Sequence, residues 1–298
     1  MPERVDPAPL VARCPFPPPG SPVTCAVSGG ADSLALLVLA TAAGLEVTAV
    51  HVDHGIRPGS DAEATVVASA AERYGARFRA ERVVVVDGPN LEERARDARW
   101  SVLPGDALTG HTADDRAETV LLNLLRGAGP RGLGALAPSP RHPLLALRRS
   151  DTVALCASEG LHPVVDPSNT DRRFRRNRIR AEVLPLLADV AGRDPVPMLC
   201  RAGDHAAEVA AGLTRLVADL DPTDCRQLAD ADPVLVTEGL RRWLEASTGR
   251  PPSRAALDRT RDVALLRVRA AEVGGGWRVA RTDGRLRLEA APGGGGDR

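Results

Sequence analysis

Short apolar runs alternate with amphipathic segments along the first half of the chain. Runs such as 23–28 have the length and β-branched content of buried strands, and the segments between them repeat apolar residues at helical spacing. Strands that alternate with helices predict an α/β fold with a doubly wound parallel sheet. The predicted strands are 23–28, 46–52, 77–86 and 106–110, and the predicted helices are 32–43, 60–75, 90–102 and 113–126.

The pattern changes in the second half, where helical periodicity dominates. Gly and Pro concentrate in 127–145, which predicts a loop, and Asp283-Gly284 between two alternating segments predicts a hairpin turn. The predicted helices here are 149–159, one that begins within 172–180 and ends near Pro185, 197–220, 223–230, 234–247 and 253–269. We predict four regions: an irregular arm at 1–21, an α/β catalytic domain at 22–189, a mostly helical appendage with a C-terminal hairpin at 190–290, and a disordered tail at 291–298.

Composition narrows the class of protein. Hydrophobic residues make up 43% and charged residues 26%, as in a globular protein, and no apolar run reaches the ~18 residues that span a bilayer. With no signal peptide pattern either, we expect a cytoplasmic protein without a membrane partner. The five cysteines are scattered without a CxxC pair, which disfavours zinc, iron–sulfur and disulfide frameworks. The 39 basic and 39 acidic residues balance, so only a local patch could bind nucleic acid.

The segment Ser28–Ser33 reads Ser-Gly-Gly-Ala-Asp-Ser and joins the first predicted strand to its helix. A helix N-terminus favours an anion, and glycines let phosphate oxygens approach the backbone. Asp32 is placed to hold Mg²⁺, which prefers carboxylate and phosphate oxygens. Gly-Gly before a helix is also an ordinary turn, but the serines and the aspartate favour a phosphate site. We predict that phosphate is bound by Ser28, Gly29, Gly30, Ala31, Asp32 and Ser33.

Two further motifs follow predicted strands. Val52–Pro58 contains Asp-His-Gly where the strand leads into a loop, and a structural turn explains this motif as well as a functional site does. Gly110–Thr119 is more informative, because Asp115 and Glu118 share one helical face and His111 stands just before the helix. Acidic residues often complement a helix dipole. Several carboxylates and a histidine at the sheet edge that carries a phosphate loop nevertheless favour catalysis.

Arginines concentrate in two segments. In Asn90–Trp100, Arg96 and Arg99 lie on one face of a predicted helix, for which an exposed, salt-bridged surface is the alternative. In Arg172–Arg180, six of nine residues are arginine and few acids are interleaved. Such runs are often solvated, but this composition favours contact with a phosphate backbone.

Taken in order, these motifs resemble the tRNA(Ile)-lysidine synthetases of the PP-loop ATP pyrophosphatase superfamily. The resemblance covers about residues 22–187 and is looser beyond them. Thr112 stands where many relatives carry a second histidine. The motifs that carry it are Ser28–Ser33, Val52–Pro58, Asn90–Trp100, Gly110–Thr119, Leu124–Gly129, His142–Leu145, Asp166–Asn169 and Arg175–Arg180.

The resemblance implies a two-step reaction with ATP and Mg²⁺ as cofactors. ATP adenylates the C2 oxygen of the wobble cytidine in a CAU-anticodon tRNA(Ile), with release of pyrophosphate. The ε-amine of free L-lysine then attacks C2 and displaces AMP, which leaves lysidine.

Site roles follow from the resemblance together with the local chemistry. Asp32 is assigned to Mg²⁺, Arg96 to the α-phosphate with Arg99 as second choice, and Asp115 with Glu118 to lysine. His111 either relays a proton or positions the carboxylates, and the proton acceptor is left open among His111, Asp115 and Glu118. Contacts to tRNA are predicted at Arg126, Arg175, Arg176, Arg178 and Arg180.

Three other functions remain as alternatives. A tRNA thiolase of the same superfamily would need catalytic or cluster-binding cysteines, which the scattered cysteines disfavour. A small-molecule amide ligase would not need the arginines of Arg172–Arg180. A non-enzymatic RNA-binding or nucleotide-sensing module would not need Asp32, Asp115 and Glu118 together. The oligomeric state is open, with a homodimer as the candidate.

Overall fold

The computed structural model describes residues 5–53, 60–84, 91–164, 166 and 171–291, except for the side chains of 60–62, 91–93, 95 and 96. The chain forms two compact units, Met1–Ala207 and Glu208–Arg298. The division falls inside a long helix, Val196–Leu216. The predicted regions, with a boundary near residue 190, stay a prediction about independent domains.

The first unit is built on a four-stranded parallel sheet, as predicted. Its strands are Pro22–Ala26 (β1), Glu46–Asp53 (β2), Arg77–Arg82 (β3) and Leu108–Thr109 (β4), in the order β3-β2-β1-β4. Its helices are Ala8–Val11 (α1), Ala31–Ala42 (α2), Ser60–Arg73 (α3), Leu91–Val102 (α4), Ala113–Leu125 (α5), Pro130–Leu133 (α6), Arg149–Ser158 (α7), Arg175–Arg178 (α8) and Leu184–Ala191 (α9), and Val196–Leu216 (α10) begins here.

The strand order determines where a ligand can bind. β2 and β3 lie on one side of β1 and β4 lies on the other, so the winding direction reverses at β1. In open α/β sheets, ligands bind beyond the carboxyl ends of the strands at this reversal. Ala26 at the end of β1 pairs with Val50 of β2 and Thr109 of β4. The glycine loop after β1 and the Gly110–Thr119 motif after β4 therefore share one edge of the sheet.

Helix α2 gives the glycine loop a rigid base. Every residue from Ser33 to Ala40 is buried, and Leu34, Leu36, Leu37 and Leu39 have no exposed surface. A helix that is apolar on all sides is packed on all sides. Each buried leucine contributes roughly 1.5–3 kcal/mol, so the first turn of α2, which carries the loop, is held by the central core of the unit.

The predicted irregular arm at 1–21 is partly wrong. It contains the short helix α1, and Cys14 is buried while Leu10, Val11 and Phe16 pack against the core around α2. These apolar residues explain the difference, because they have surface to bury and the preceding proline suits the first turn of a helix. The predicted strand 77–86 is shorter than expected, since β3 ends at Arg82.

The helix expected to end near Pro185 continues instead. After α8 a π-helical turn at Ile179–Val183 leads into α9, which has Pro185 in its first turn and ends at Ala191. Proline is tolerated in a first turn because no intrahelical N–H bond is required there. Gly192 with a φ of 61° then terminates the helix.

The second unit combines helices with a small antiparallel sheet. Its described elements, beyond the end of α10, are Cys225–Asp230 (α11), Pro233–Thr248 (α12), Arg254–Ala264 (α13), Ala270–Gly274 (β5), Trp277–Thr282 (β6) and Arg285–Ala290 (β7), with the strands in sequence order. The predicted hairpin is present, and its turn at Asp283-Gly284 has positive φ at both residues. The helix predicted to reach 269 ends at Ala264, and β5 joins the hairpin as a third strand. Within the described residues, no helix is long and apolar enough to cross a membrane.

The close approach of β4 to α2 allows a stability test. A Cβ added at Gly110 would lie 2.6 Å from the backbone oxygen of Asp32. We expect Gly110→Ala to lower the free energy of unfolding by about 1–3 kcal/mol, the usual cost of overpacking, as measured by urea denaturation. Gly105→Ala is the matched control, since nothing lies within 4 Å of its added Cβ. Equal stability of the two variants would contradict this packing.

Candidate active site

The glycine loop between β1 and α2 is held in shape by its own serines. Ser33 Oγ accepts a hydrogen bond from Ser28 N (3.1 Å) and donates one to Gly30 O (2.9 Å). Gly29 has a φ of +87°, which residues with a side chain rarely adopt. Gly30 is extended at the start of α2, and the first N–H groups of a helix lack intrahelical partners. The structure thus brings the predicted phosphate-binding residues together in a form that favours an anion.

Asp32 faces the edge of the sheet from the first turn of α2. One oxygen, Oδ1, accepts a hydrogen bond from the Thr152 hydroxyl, and Oδ2 has Arg149 Nε at 3.4 Å. Burial raises the pKa of Asp32, and the charge of Asp115 adds to this effect, while Thr152 and Arg149 oppose it. The groups that stabilise the ionised carboxylate therefore do not outweigh its burial, and its side chain is 25% exposed. Both properties fit an oxygen ligand for Mg²⁺.

Arg149, at the start of α7, joins the predicted carboxylates. Its Nη2 donates to Asp115 Oδ1 at 2.8 Å and its Nη1 to Glu118 Oε1 at 3.1 Å, besides the longer contact to Asp32. Burial opposes its charge, but these three carboxylates raise the pKa of Arg149 above the ordinary value. A single guanidinium thus connects the residues predicted to hold magnesium and lysine.

Asp114 anchors α7 to α5 and so positions Arg149. Its carboxylate accepts hydrogen bonds from Arg148 Nε (3.0 Å), Arg148 Nη2 (2.9 Å) and the backbone N of Arg149 (2.8 Å). Burial raises the pKa of Asp114, but these bonds outweigh it and lower the pKa. Two arginines at a helix N-terminus oppose the helix dipole, and this carboxylate offsets that cost.

Asp115 is oriented by the N-terminal cap of α5. Its Oδ2 accepts hydrogen bonds from the backbone N and the hydroxyl of Thr112, both at 2.9 Å, in a capping box. Burial raises the pKa of Asp115, but Arg149, these hydrogen bonds and the nearby His111 and Arg176 lower it below its usual value. Thr112 therefore supports the carboxylate directly.

Glu118 is fully buried and surrounded by three arginines. Arg180 donates from Nε to Oε1 (2.7 Å) and from Nη2 to Oε2 (3.1 Å), in addition to the bond from Arg149. Arg176 Nε lies 3.2 Å from Oε2, which is ion-pair distance without hydrogen-bond geometry. Because both oxygens already accept from arginine, another cation can reach Glu118 only in exchange for one of these contacts.

The arginines predicted to contact tRNA fall into different environments. Arg176 and Arg180 lie four residues apart across the π-helical turn and both reach Glu118, while Arg176 also donates to the Thr119 hydroxyl at 2.8 Å. Arg178 pairs with Glu182 (3.1 Å). The remaining two are exposed, Arg126 at the end of α5 and Arg175 in α8.

His111 lies between β4 and the carboxylates of α5. Its Nδ1 is 2.7 Å from the hydroxyl of Thr109. The imidazole lies near enough to Asp115 for its charge to contribute to the lowered pKa of that carboxyl. The structure therefore brings four of the predicted site residues close together at one edge of the sheet: Asp32, His111, Asp115 and Glu118.

Some predicted residues lie outside the described part of the chain. These are the side chain of Arg96, residues 54–58 of the Val52–Pro58 motif and residues 167–169 of the Asp166–Asn169 motif. Arg99, the second choice for the α-phosphate, is exposed on α4.

The sequence analysis missed Arg149 and Thr152. The helix that carries them was predicted, but neither residue was assigned a role. A signal was present, because two consecutive arginines at a helix start are unfavourable unless carboxylates are near. The sequence does not show that α7 packs beside α2 and α5, so it could not predict which carboxylates pair with these arginines.

Comparison with known proteins gives a consistent result. A family model described as a PP-loop domain matches residues 12–187. A tRNA(Ile)-lysidine synthase of Nocardia farcinica is 45% identical over 78% of this chain and 78% of its own length. One from Salinispora tropica is 40% identical over 91% of both chains.

One solved structure shares the fold at low sequence identity. A U34-tRNA thiolase of Methanococcus maripaludis superposes with a TM-score of 0.52 at 17% identity, over 64% of this chain and 73% of that chain. At this identity the likeness concerns the fold alone.

The raised pKa of Asp32 leads to a stability prediction. A carboxyl whose pKa is raised by folding costs stability at neutral pH, and this cost disappears as the pH falls to the ordinary aspartate pKa of 3.8. We expect Asp32→Asn to unfold at higher urea concentration than wild type at pH 7, with the difference shrinking toward pH 4.

Asp115→Asn is the matched control for this prediction. The pKa of Asp115 is lowered, so its charge stabilises the fold above the ordinary aspartate pKa of 3.8, and the control should lose stability at pH 7. If Asp32→Asn were also destabilised at pH 7, the assigned electrostatics of Asp32 would be wrong.

Proposed function

Because the chain belongs to the tRNA(Ile)-lysidine synthase family and contains its PP-loop domain, we propose that it ligates free L-lysine to C2 of the wobble cytidine of CAU-anticodon tRNA(Ile). The reaction uses ATP, proceeds through an adenylated cytidine, forms a carbon–nitrogen bond and yields lysidine, AMP and pyrophosphate. The observation that carries this proposal is the cluster of Asp32, Asp115 and Glu118 around Arg149, next to the phosphate loop.

The first step requires charge stabilisation on ATP. The N–H groups at the start of α2 and the hydroxyl of Ser28 are the groups that would bind its phosphates, while Ser33 keeps the loop in shape. Asp32 would hold Mg²⁺, which supplies further neutralisation of phosphate charge when bound. Among the described residues no cluster of three metal-ligating side chains occurs. The remaining ligands of the ion would therefore be phosphate oxygens and water, as Mg²⁺ commonly prefers.

The second step requires a bound lysine cation. Asp32, Asp115 and Glu118 carry three negative charges, and Arg149, Arg176 and Arg180 carry three positive charges. The cluster is balanced by itself, so lysine would enter by taking over contacts that Arg149 makes with Asp115 or Glu118.

Lysine must also lose a proton before it attacks. Its ammonium group has a pKa near 10.4, so only about one molecule in 2,500 is neutral at pH 7. Asp115 is a poor base because its pKa is lowered, and both oxygens of Glu118 already accept from arginines. His111 is therefore the proposed acceptor of the first proton.

The proposed partners are tRNA(Ile) with a CAU anticodon and free L-lysine. The exposed arginines Arg126, Arg175 and Arg178 remain the proposed contacts to tRNA. Arg176 and Arg180 instead pair with Glu118. We expect the reaction in the cytoplasm, where tRNA and ATP occur. A homodimer is the proposed oligomeric state, which light scattering would test.

A tRNA thiolase is the main competing function. Such chemistry needs an accessible thiolate, but Cys25 is completely buried and burial raises its pKa to about 12. Cys156 is also buried, with a pKa raised to about 11 by burial and the charge of Asp32. All five cysteines are free thiols without a common cluster. This disfavours the thiolase.

The test is release of pyrophosphate from ATP by purified protein with Mg²⁺, with and without an unmodified CAU-anticodon tRNA(Ile) transcript and labelled lysine. We expect release that depends on the tRNA, and lysine incorporated into it. Both should vanish in Asp32→Ala and persist in the control Asp106→Ala, which changes an exposed loop residue. Release without tRNA would indicate a small-molecule ligase, and no release would indicate a binding module.

A further inference from the structure

Thr109 joins two histidines at the edge of the sheet. Its hydroxyl oxygen lies 2.7 Å from His111 Nδ1 and 2.6 Å from His142 Nδ1. The two rings are perpendicular, with centroids 5.0 Å apart. His142 is brought there by a backbone bond from Thr109 N to Arg141 O (2.8 Å). Thr109 is 9% exposed, so this hydroxyl has little access to water.

The two short contacts constrain the protons. A hydroxyl has one proton to donate and two lone pairs to accept. Its third contact, to Arg141 O, is 3.4 Å long and too weak to compete for that proton. Thr109 can therefore donate to one histidine while it accepts from the other, and in that arrangement one ring has its proton on Nδ1 and the other has its proton on Nε2.

We propose that His111, Thr109 and His142 form a proton relay that removes the proton of the lysine ammonium. This inference rests on the proposed function and extends it to Thr109 and His142. The state needed at the start has the Nδ1 proton on His111, so that His111 Nε2 is the ring atom that takes a proton from lysine.

The relay balances each proton and bond. Lysine gives one ammonium proton to His111 Nε2, and its nitrogen lone pair forms the bond to C2 of the adenylated cytidine. The bond from C2 to oxygen breaks, its electron pair leaves with AMP, and the nitrogen, which is cationic after it bonds to C2, loses its second proton to solvent. His111 Nδ1 passes its proton to the Thr109 oxygen, the Thr109 hydroxyl proton moves to His142 Nδ1, and His142 Nε2 releases a proton to solvent.

The charged groups around the relay assist its first step, the transfer of a proton from lysine to His111. Asp115 on α5 interacts with His111 and stabilises the positive charge that forms when that ring takes a proton. Arg141, next to His142, directs its guanidinium onto the Trp100 ring at 4.3 Å. Asp115 thus stabilises the charge on His111, and the cation Arg141 favours release of the proton once it has reached His142.

The test compares lysine incorporation with pyrophosphate release across pH 6–10. The variants are His142→Asn, which keeps a polar group for Thr109 but cannot carry a proton, and Thr109→Val, which removes the hydroxyl at constant shape. We expect each to slow lysine incorporation at pH 7 by about a hundredfold, the scale of general base catalysis. The loss should shrink toward pH 10, where lysine is increasingly neutral.

Two controls separate a relay from a structural effect. Thr109→Ser should restore incorporation, because it restores the hydroxyl. His205→Asn changes an exposed histidine of α10 and should leave incorporation unchanged. In His142→Asn, the incorporation rate should fall less for a lysine analogue whose side-chain amine has a lower pKa than it falls for lysine. An equal loss of both steps at every pH, or no loss at pH 7, would overturn the relay. Wild-type protein without any lysine incorporation would instead overturn the proposed function on which it rests.

Discussion

A carboxylate without exposed surface must find its counter-charges inside the protein, and Glu118 is in this position. Arg149, Arg176 and Arg180 surround it from separate elements, so α5, α7 and the segment from α8 through the π-helical turn must meet at one point. Removing one partner from such a cluster leaves charge unpaired in a medium of low dielectric constant. The position of each functional carboxylate in this unit depends on that requirement.

The same cluster explains how one crevice can serve two different substrates. Asp32 lies at its edge and stays short of positive charge, which suits a magnesium ion beside phosphates. Asp115 lies further inside and is held ionised by Arg149 and the Thr112 cap, which suits an ammonium group. Arg149 touches both, so binding at one end changes the partners available at the other. The proposed reaction needs this coupling, because lysine is useful only after ATP has reacted.

The parts of this account that depend on local pattern could be predicted from the sequence. The parallel sheet, the glycine loop between β1 and α2, and the place of Asp115 at the start of α5 all follow from residues close together in the chain. The partners of those carboxylates could not be predicted, since Arg149 and Asp32 are connected only through the packing of α7 against α2. Arg176 and Arg180 were identified as part of a basic run. Their side chains reach Glu118 because of a π-helical turn that no local sequence pattern predicts. His142 was noted within a motif, and its contact with Thr109 depends on the backbone bond from Thr109 N to Arg141 O, which joins residues far apart in the chain.

The central claim is that Arg149 and Glu118 stabilise each other within the folded protein. A double-mutant cycle tests it most directly, with the free energy of unfolding measured for wild type, Arg149→Met, Glu118→Gln and the double variant. We expect a coupling energy of about 0.5–3 kcal/mol, the range for residues in contact, with the double variant less destabilised than the sum of the two single changes. Additive effects within about 0.5 kcal/mol would contradict it.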